Sequence, residues 1–571
     1  MAIQLSPGVN VSEIDQTTVV PAVLTTAGAF VGTFAWGPVD TPVLINNAVT
    51  LRETFSTPDS NSAVSFFTAS NFLSYGNNLS VVRVVGANAR NATANSGIGL
   101  LIENDDQYLA SYLSTDANNA YGAFAARCAG TIGNSLKVSV CANTSLFSTW
   151  EYKGLFPAAP GTSEYATSKG ATNDEMHIVV VDAGGKFGSA NTVLETFAFV
   201  SKARNAIKAN DGSPNFYKQV LFDNSAYVYA IDPPGYSTTN ATWGTAAANG
   251  VVYASLTSNY SANLSAAVDE VPLAGDLTNG WELFSNKEQI DVSLLITGDA
   301  GGESTAVTVQ NYVISLAESR RDCVAFVSPL YSDVVNQTSA ATTTTNVTGW
   351  VSSLGITSSY AVADSGWKYQ LDPYNNVYRW LPLNADVAGT CAFTDAVRDP
   401  WYSPAGFNRG NIRNCIKLAW NPAQTYRDTL YSAGVNSVIS FQGQGTILFG
   451  DKTLQSKPSA FDRINVRRLF IALEKSISEA ARFSLFELND DFTRGQFVAL
   501  VEPFLRQVQG RGGITDYRVV CDVTNNTPQV IDTNRFVGDI YIKPARSINY
   551  IQLNFVAVGT GTAFTTIVGG Q

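Results

Sequence analysis

Residues 461–490 read FDRINVRRLFIALEKSISEAARFSLFELND, and residues 516–526 read DYRVVCDVTNN. In the first run, apolar residues fall at Val466, Leu469, Phe470, Leu473, Ile477, Ala480, Ala481 and Leu485. That spacing predicts an α-helix with one stripe turned to a core. Glu474, Lys475, Ser478, Glu479 and Arg482 take the opposite face. The second run is short and β-branched over 517–521, the pattern of a strand. Three cations, Arg463, Arg467 and Arg468, crowd the start of the helix. The backbone dipole is positive there and favours acids. Such cations form a solvated or locally paired face, or they require an acidic partner from elsewhere.

Outward from this stretch, the 571 residues exceed what one core serves and predict several domains. The net charge is −11 with no basic block, which argues against direct nucleic-acid binding. Only 15% of residues are charged and 45% are hydrophobic, against about 25% charged in typical soluble domains. A chain with so little charge reads as a subunit that buries surface against neighbours. No apolar run is long enough for a bilayer span, so no membrane insertion is expected. The start, MAIQLSPGVNVSE, lacks the basic and apolar regions of a signal peptide. Cys128, Cys141, Cys323, Cys391, Cys415 and Cys521 are scattered without a CxxC pair. Reduced, buried thiols are expected, not disulfides or zinc.

In chain order, 1–20 reads as an extended arm, with Val9 and Val11 alternating with polar neighbours. Strands at 26–31, 43–45 and 79–85 with a helix at 63–73 make 21–90 a compact α/β piece. Residues 91–130 are rich in Asn, Ala, Ser and Thr and read as a weakly structured surface insertion. Within 91–274, strands are expected at 136–140, 177–181, 220–222 and 227–231. The spacing Thr192-x-x-Glu195 predicts a capping box opening a helix to about 207. Residues 232–263 look loop-like. A strand at 292–296, a helix at 304–320 and a strand at 323–327 form a βαβ unit. Residues 342–348 read as a low-complexity loop, and 367–371 with 377–381 as a hairpin. Helices are expected at 385–397, 411–418 and 422–431.

Catalytic chemistry finds little support. Residues 445–453 read GTILFGDKT, but Asp451 separates Gly450 from Lys452, and an acid where phosphate would sit repels the ligand. A strand and turn is the better reading. His177 is the chain's single histidine, and a triad or metal site would have to rest on it alone. The pairs Asp105-Asp106 and Asp490-Asp491 lack calcium-loop spacing, and 184–188 (GGKFG) reads as a turn. No cofactor is expected, and an enzyme of undetected class is the weaker alternative.

The same stretch carries a family resemblance. FDRINVRRLF at 461–470, LFELND with FTR at 485–494, YRVVCDVTNNTP at 517–528 and YIKPARSINYIQLNFVA at 541–557 resemble the C-terminal domain of the tail sheath family of T-even-like contractile-tailed phages. LSPGVNVSE at 5–13, FAWGPV at 34–39 and NFLSYGNNLSVVRVV at 71–85 are similar to its N-terminal part. The likeness continues through 302–324, 368–389 and 403–419, and is thin over 91–274.

The resemblance implies an α/β and α+β multidomain protein with nested insertions. Its inner, tube-facing domain would combine 1–20 with 431–571, the middle α/β domain 21–90 with 275–430, and a mostly β outer domain would span 91–274. It implies a structural subunit that polymerises around a tail tube and contracts to drive it through the host envelope. The alternative is a bacterial contractile injection system of the tailocin or type VI secretion kind. Partners would be further copies of the chain, the tail tube protein, and the baseplate and tail terminator proteins. The location would be the virion tail, assembled in the host cytoplasm. Arg463, Arg467, Arg468 and Lys475 become candidate tube-facing cations, or cations pairing with a neighbouring sheath subunit. Val9, Val11, Ile551, Leu553, Phe555 and Phe564 become candidate strands shared between subunits. With no nucleotide site, contraction would run downhill from a metastable state by rotation near 20/21 with 430/431 and near 90/91 with 274/275, where Gly434 and Gly86–Ala87 lie.

Overall fold

Short apolar runs separated by helical patterns become a parallel sheet when both sheet faces are covered. The computed structural model describes residues 25–95, 97–550 and 552–553. The chain divides into two compact units, Val20–Phe483 and a second one carrying everything from Ser484 on.

A seven-stranded sheet organises the larger unit. Its order is Val435–Asn436, Ala361–Asp364, Val324–Val327, Leu294–Ile296, Gly28–Gly32, Leu79–Arg83, Val43–Ile45. All neighbours are parallel except Val43–Ile45 at the edge. Successive strand residues point to opposite faces and feed two cores. Ala29, Val31, Leu295, Ala325, Val327, Ala361 and Ala363 meet the helices Ala274–Glu282, Ala306–Arg320, Ala340–Leu354 and Gln424–Ser432 through Trp281, Val313, Trp350 and Leu430. Phe30, Leu294, Ile296, Val324, Phe326 and Val362 meet Ala63–Leu73, Asn384–Val397 and Ile464–Ala481 through Phe66, Phe72, Val387, Ile464 and Ile471. The expected βαβ unit and the hairpin Trp367–Asp372 with Val377–Pro382 are present.

The boundary between units lies at 483/484 rather than at 430/431. Val435 pairs with Ala363 in the sheet, and Leu448, Ile464 and Ile471 fill its second core, so these residues fold with the middle segment. Gly434 has φ +86°, which serves the tight turn from a helix into the edge strand inside this unit.

Residues 91–274 form separate sheets with short helices between the strands, so the segment is mixed rather than mostly β. Thr192–Ser201, Glu175–Asp182, Leu136–Cys141 and Tyr260–Asn263 make a four-stranded antiparallel sheet, and Phe124–Ala126 pairs with Val228–Ala230. The two chain crossings run side by side, with Arg90 N–H donating to Val268 O at 3.0 Å and Val268 N–H to Arg90 O at 3.2 Å. Arg83 pins this junction: its buried guanidinium donates to the carbonyls of Phe34 (2.8 Å), Gly37 (2.9 Å) and Ala129 (2.6 Å).

Several local expectations change. Residues 192–201 are a strand, because pairing with Glu175–Asp182 favours the β-branched and aromatic residues there over the capping spacing. Glu195 instead accepts from Ser225 Oγ (2.6 Å) and the Ala226 amide (2.7 Å). Residues 220–222 lie in the helix Tyr217–Asn224. Residues 342–348 lie in Ala340–Leu354, capped by Ser339, with Thr343, Thr344, Thr345 and Thr348 hydroxyls bonding carbonyls one turn back. Residues 411–418 are irregular, with φ +52° at Asn414, and end in a short strand, Lys417–Leu418, against Lys368 and Tyr369. The segment 91–130 holds a helix at Asp105–Ser111.

The turn at 184–188 does cradle an anion, and the anion is the protein's own Asp182. Gly185, Lys186, Phe187 and Gly188 amides donate to its carboxylate at 2.8–3.0 Å, and the Ser135 hydroxyl joins them. Burial alone would raise this carboxyl, but these donors hold it below its ordinary value. Asp182→Asn is expected to cost about 2–3 kcal/mol, since an amide NH2 would face backbone N–H groups. A depressed carboxyl contributes stability above its unfolded pKa that is lost as pH falls through its folded one. The deficit, measured by thermal melting, is therefore expected to be full above about pH 5 and to shrink below about pH 3. A deficit that persists unchanged at low pH would contradict this assignment.

In the smaller unit the helix Asp491–Gly510 packs Phe497, Val501, Leu505 and Val508 inward beside the antiparallel pair Ile514–Val520 and Asp539–Pro544. Asp490 caps that helix through the Thr493 amide at 2.8 Å.

Candidate assembly surfaces

The cations at 463–475 are answered inside the chain. The first two turns of Ile464–Ala481 are buried nearly all round, so their arginines must find partners there. Arg468 meets Asp395 with two nitrogens on two oxygens, Nη1 to Oδ1 at 2.8 Å. It also donates to the carbonyls of Cys391 and Thr25, both at 3.2 Å. Arg467 lies between two rings, 4.2 Å from the Tyr360 centroid and 4.0 Å from that of Phe461. Its Nη2 donates to Ser359 Oγ at 2.7 Å, and burial pulls its pKa below the ordinary value. Arg463 donates to Tyr431 Oη at 2.8 Å and lies 3.9 Å from Asp451. Lys475 pairs with Asp291 and donates to Ser293 Oγ at 2.9 Å. The expectation that these four present charge to a tube is corrected for Arg467 and Arg468, which are buried. Arg463 and Lys475 are partly exposed but already paired.

The remaining sequence candidates are at the termini. Leu553 is exposed, while Val9, Val11, Ile551, Phe555 and Phe564 lie outside the described residues. What the described residues supply is a two-stranded sheet. In the pair Ile514–Val520 and Asp539–Pro544, neither strand has a second partner among the described residues. An edge that stays unpaired carries backbone donors and acceptors that a further strand can take up. The same unit exposes Leu485, Phe486, Leu488 and Phe492. Periodicity assigned part of this run to a helix stripe, but Phe486 adopts φ +70° in the turn between helices, which turns it out. The LFELND string itself, apolar residues running into an acidic helix cap, was the available signal.

The sites weighed for catalysis have structural roles. Residues 445–448 form a hairpin with Val438–Phe441, and Asp451 is buried, accepting from Ser403 Oγ at 3.0 Å. His177 is buried against Phe156, ring centroids 4.2 Å apart. Its Nδ1 accepts from the Phe199 amide at 3.1 Å, which leaves Nε2 to donate to Ala158 O at 2.9 Å. Burial lowers its pKa and keeps it neutral. Among the described residues no helix is long and apolar enough to cross a membrane.

Comparison with known proteins follows the same lines. Residues 25–84 match "Tail sheath protein Gp18 domain III N-terminal region", 270–454 "Phage tail sheath protein central domain" and 456–557 "Phage tail sheath C-terminal domain". The chain is 34% identical to the tail sheath protein of Vibrio phage KVP40, covering 99% of this chain and 100% of that one. It is 34% identical to the tail sheath protein of Enterobacteria phage T4, covering 99% of each. Its fold is similar to a sheath tail protein from Listeria innocua (TM-score 0.54, 12% identity, 92% and 93% coverage). It is also similar to the anti-feeding prophage helical sheath in the contracted state (TM-score 0.51, 14% identity, 97% and 99% coverage). With near-complete coverage at this identity, the chain belongs to the contractile phage tail sheath protein family.

Proposed function

We propose that this contractile sheath subunit polymerises helically around a tail tube, on a baseplate and under a terminator, after assembly in the host cytoplasm. The observation that carries this reading is 34% identity over 99% of the chain to tail sheath proteins of phages. A bacterial injection sheath is the second reading. It is favoured by likeness over 97% of the chain to an extracellular contractile injection system sheath, but at 12% identity and TM-score 0.50. The phage reading is therefore preferred.

In the proposed layering, 91–274 lies on the outside of the sheath, away from the tube. The paired crossing at Arg90 and Val268 supports a swing of the outer segment about its base. Gly86 belongs to this base: a side chain there would meet Glu270 Cγ at 2.6 Å. Contraction then needs no nucleotide from this subunit and runs downhill from a metastable extended state. Purified protein without tube or baseplate is expected to form long helical tubes in the contracted form, read by electron microscopy. By calorimetry, extended tails are expected to unfold at a lower temperature than contracted ones. An extended form with the higher transition, or contraction that depends on added nucleotide, would overturn this mechanism.

A further inference from the structure

The seven-stranded sheet has a topological switch point. From Gly28–Gly32 the chain moves to one side, and it later returns on the other side at Leu294–Ile296. In open α/β sheets, ligands bind outside the carboxyl ends of the strands at such a point. Beside that point, one strand further along the sheet, a cleft of about 360 Å³ opens past the ends of Leu294–Ile296 and Val324–Val327. Its walls include Tyr331, Trp367 and Trp380, and its acidic side is Asp299 and Glu303.

The walls are fixed. Trp367 donates its indole N–H to Pro329 O at 2.8 Å and meets Tyr331 edge-on, ring centroids 5.3 Å apart. Asp299 is held in a turn of left-handed residues, with φ +60° at Gly298, +52° at Ala300 and +80° at Gly301. The hydrogen bond found for its carboxylate is a long one from the Gly301 amide, 3.4 Å. Burial raises its pKa from the ordinary value, and no nearby cation opposes that. Glu303 accepts from the Ser332 amide at 2.7 Å and from the Ser332 hydroxyl. Burial, with the Glu303 charge added, pushes neighbouring Asp333 up to about 6. The cation within the lining, Arg379, is spent on Asp372 at 2.8 Å. From the short strand Lys417–Leu418 beside this hairpin, Lys417 lies 5.5 Å from the Trp380 centroid and 4.9 Å from that of Tyr369, so these rings already hold one cation. Among the described residues no three His, Cys, Asp or Glu side chains are grouped to hold a metal ion.

We propose that this cleft is a receptor for an organic cation, a guanidinium or ammonium group on an alkyl stem. Aromatic faces attract the charge through their quadrupoles, and the unanswered carboxylate supplies its counter-charge. The cation comes from a basic side chain of a neighbouring copy or from a free polyamine. Agmatine, an alkylguanidinium, titrated into the purified protein by calorimetry is expected to bind at least about tenfold more tightly than uncharged butylurea. Asp299→Asn is expected to weaken agmatine about tenfold while leaving butylurea unchanged. Glu303→Gln, at a more exposed position, is expected to weaken it severalfold and serves if Asp299→Asn fails to fold. Butylurea binding as tightly as agmatine, or agmatine binding that folded variants at Asp299 and Glu303 leave unchanged, would overturn the assignment. Affinity lost on assembly into tubes assigns the occupant to a neighbouring copy, and affinity retained assigns it to a free polyamine.

Discussion

Asp395→Ala is expected to cost about 3–5 kcal/mol, because it leaves the Arg468 guanidinium buried and uncompensated. The two side chains are only 4% and 5% exposed, so water cannot replace the lost carboxylate. The pair also ties together three parts of the larger unit. Arg468 lies on Ile464–Ala481, Asp395 on Asn384–Val397, and both bond Thr25 just ahead of the strand Gly28–Gly32. The loss should appear as a lower melting transition for the Val20–Phe483 unit with little change in the smaller one. The double change Arg468→Met with Asp395→Leu removes both charges and fills the space, and is expected to recover much of the loss. The same geometry alters what a charge reversal at Arg467 and Arg468 would report. Placing glutamates there sets an anion beside Asp395 and another between Tyr360 and Phe461, so folding fails before tube binding is tested. An Asp395→Ala protein that melts like the wild type would show that this pair contributes nothing to holding the core.

Five strands of the central sheet were legible because they are short apolar runs, and covered parallel strands need no alternation; Ala361–Asp364 and Val435–Asn436 were not. The Arg-rich helix was legible from its 3.6-residue period, and the sequence also posed the right question about its cations. It could not answer that question. Arg468 finds Asp395 from 73 residues away and Lys475 finds Asp291 from 184, and no local pattern encodes such pairs. The same limit moved the inner boundary, since Val435 joins the sheet only through its pairing with Ala363. Within 91–274 the errors were local. Thr192-x-x-Glu195 has the spacing of a helix cap, yet Glu195 serves Ser225 and Ala226 across the fold. The threonines of 342–348 lower helix propensity on average, but their hydroxyls bond the preceding turn and Trp350 anchors the helix to the core. The candidate cleft gave no motif at all, because Asp299, Trp367 and Trp380 are brought together only by the order of the sheet.

Deleting residues 1–15, or everything after Gly559, is expected to abolish tube formation while leaving the larger unit folded. The expected acceptor is a two-stranded sheet with both outer edges unpaired among the described residues, backed by Asp491–Gly510. Two strands alone are marginal in water, and further strands on the edges would complete the sheet. The segments to be removed suit that part. Residues 560–571 carry no charged side chain, and within 1–15 the charged side chains are Glu13 and Asp15. Such segments lose little solvation when they pair with a neighbour's edge. The larger unit should not depend on them, because its two cores are built from residues lying between Ala29 and Ile471. Each subunit in a helical lattice repeats the same links, so losing one link per subunit removes it from every contact of that type. Sedimentation should find both truncated proteins as small species, with the thermal transition of the larger unit within about 1 kcal/mol of the full chain. Micrographs showing normal tubes from both truncations would refute strand exchange as the link between subunits. Tubes from only one would identify which terminus provides it.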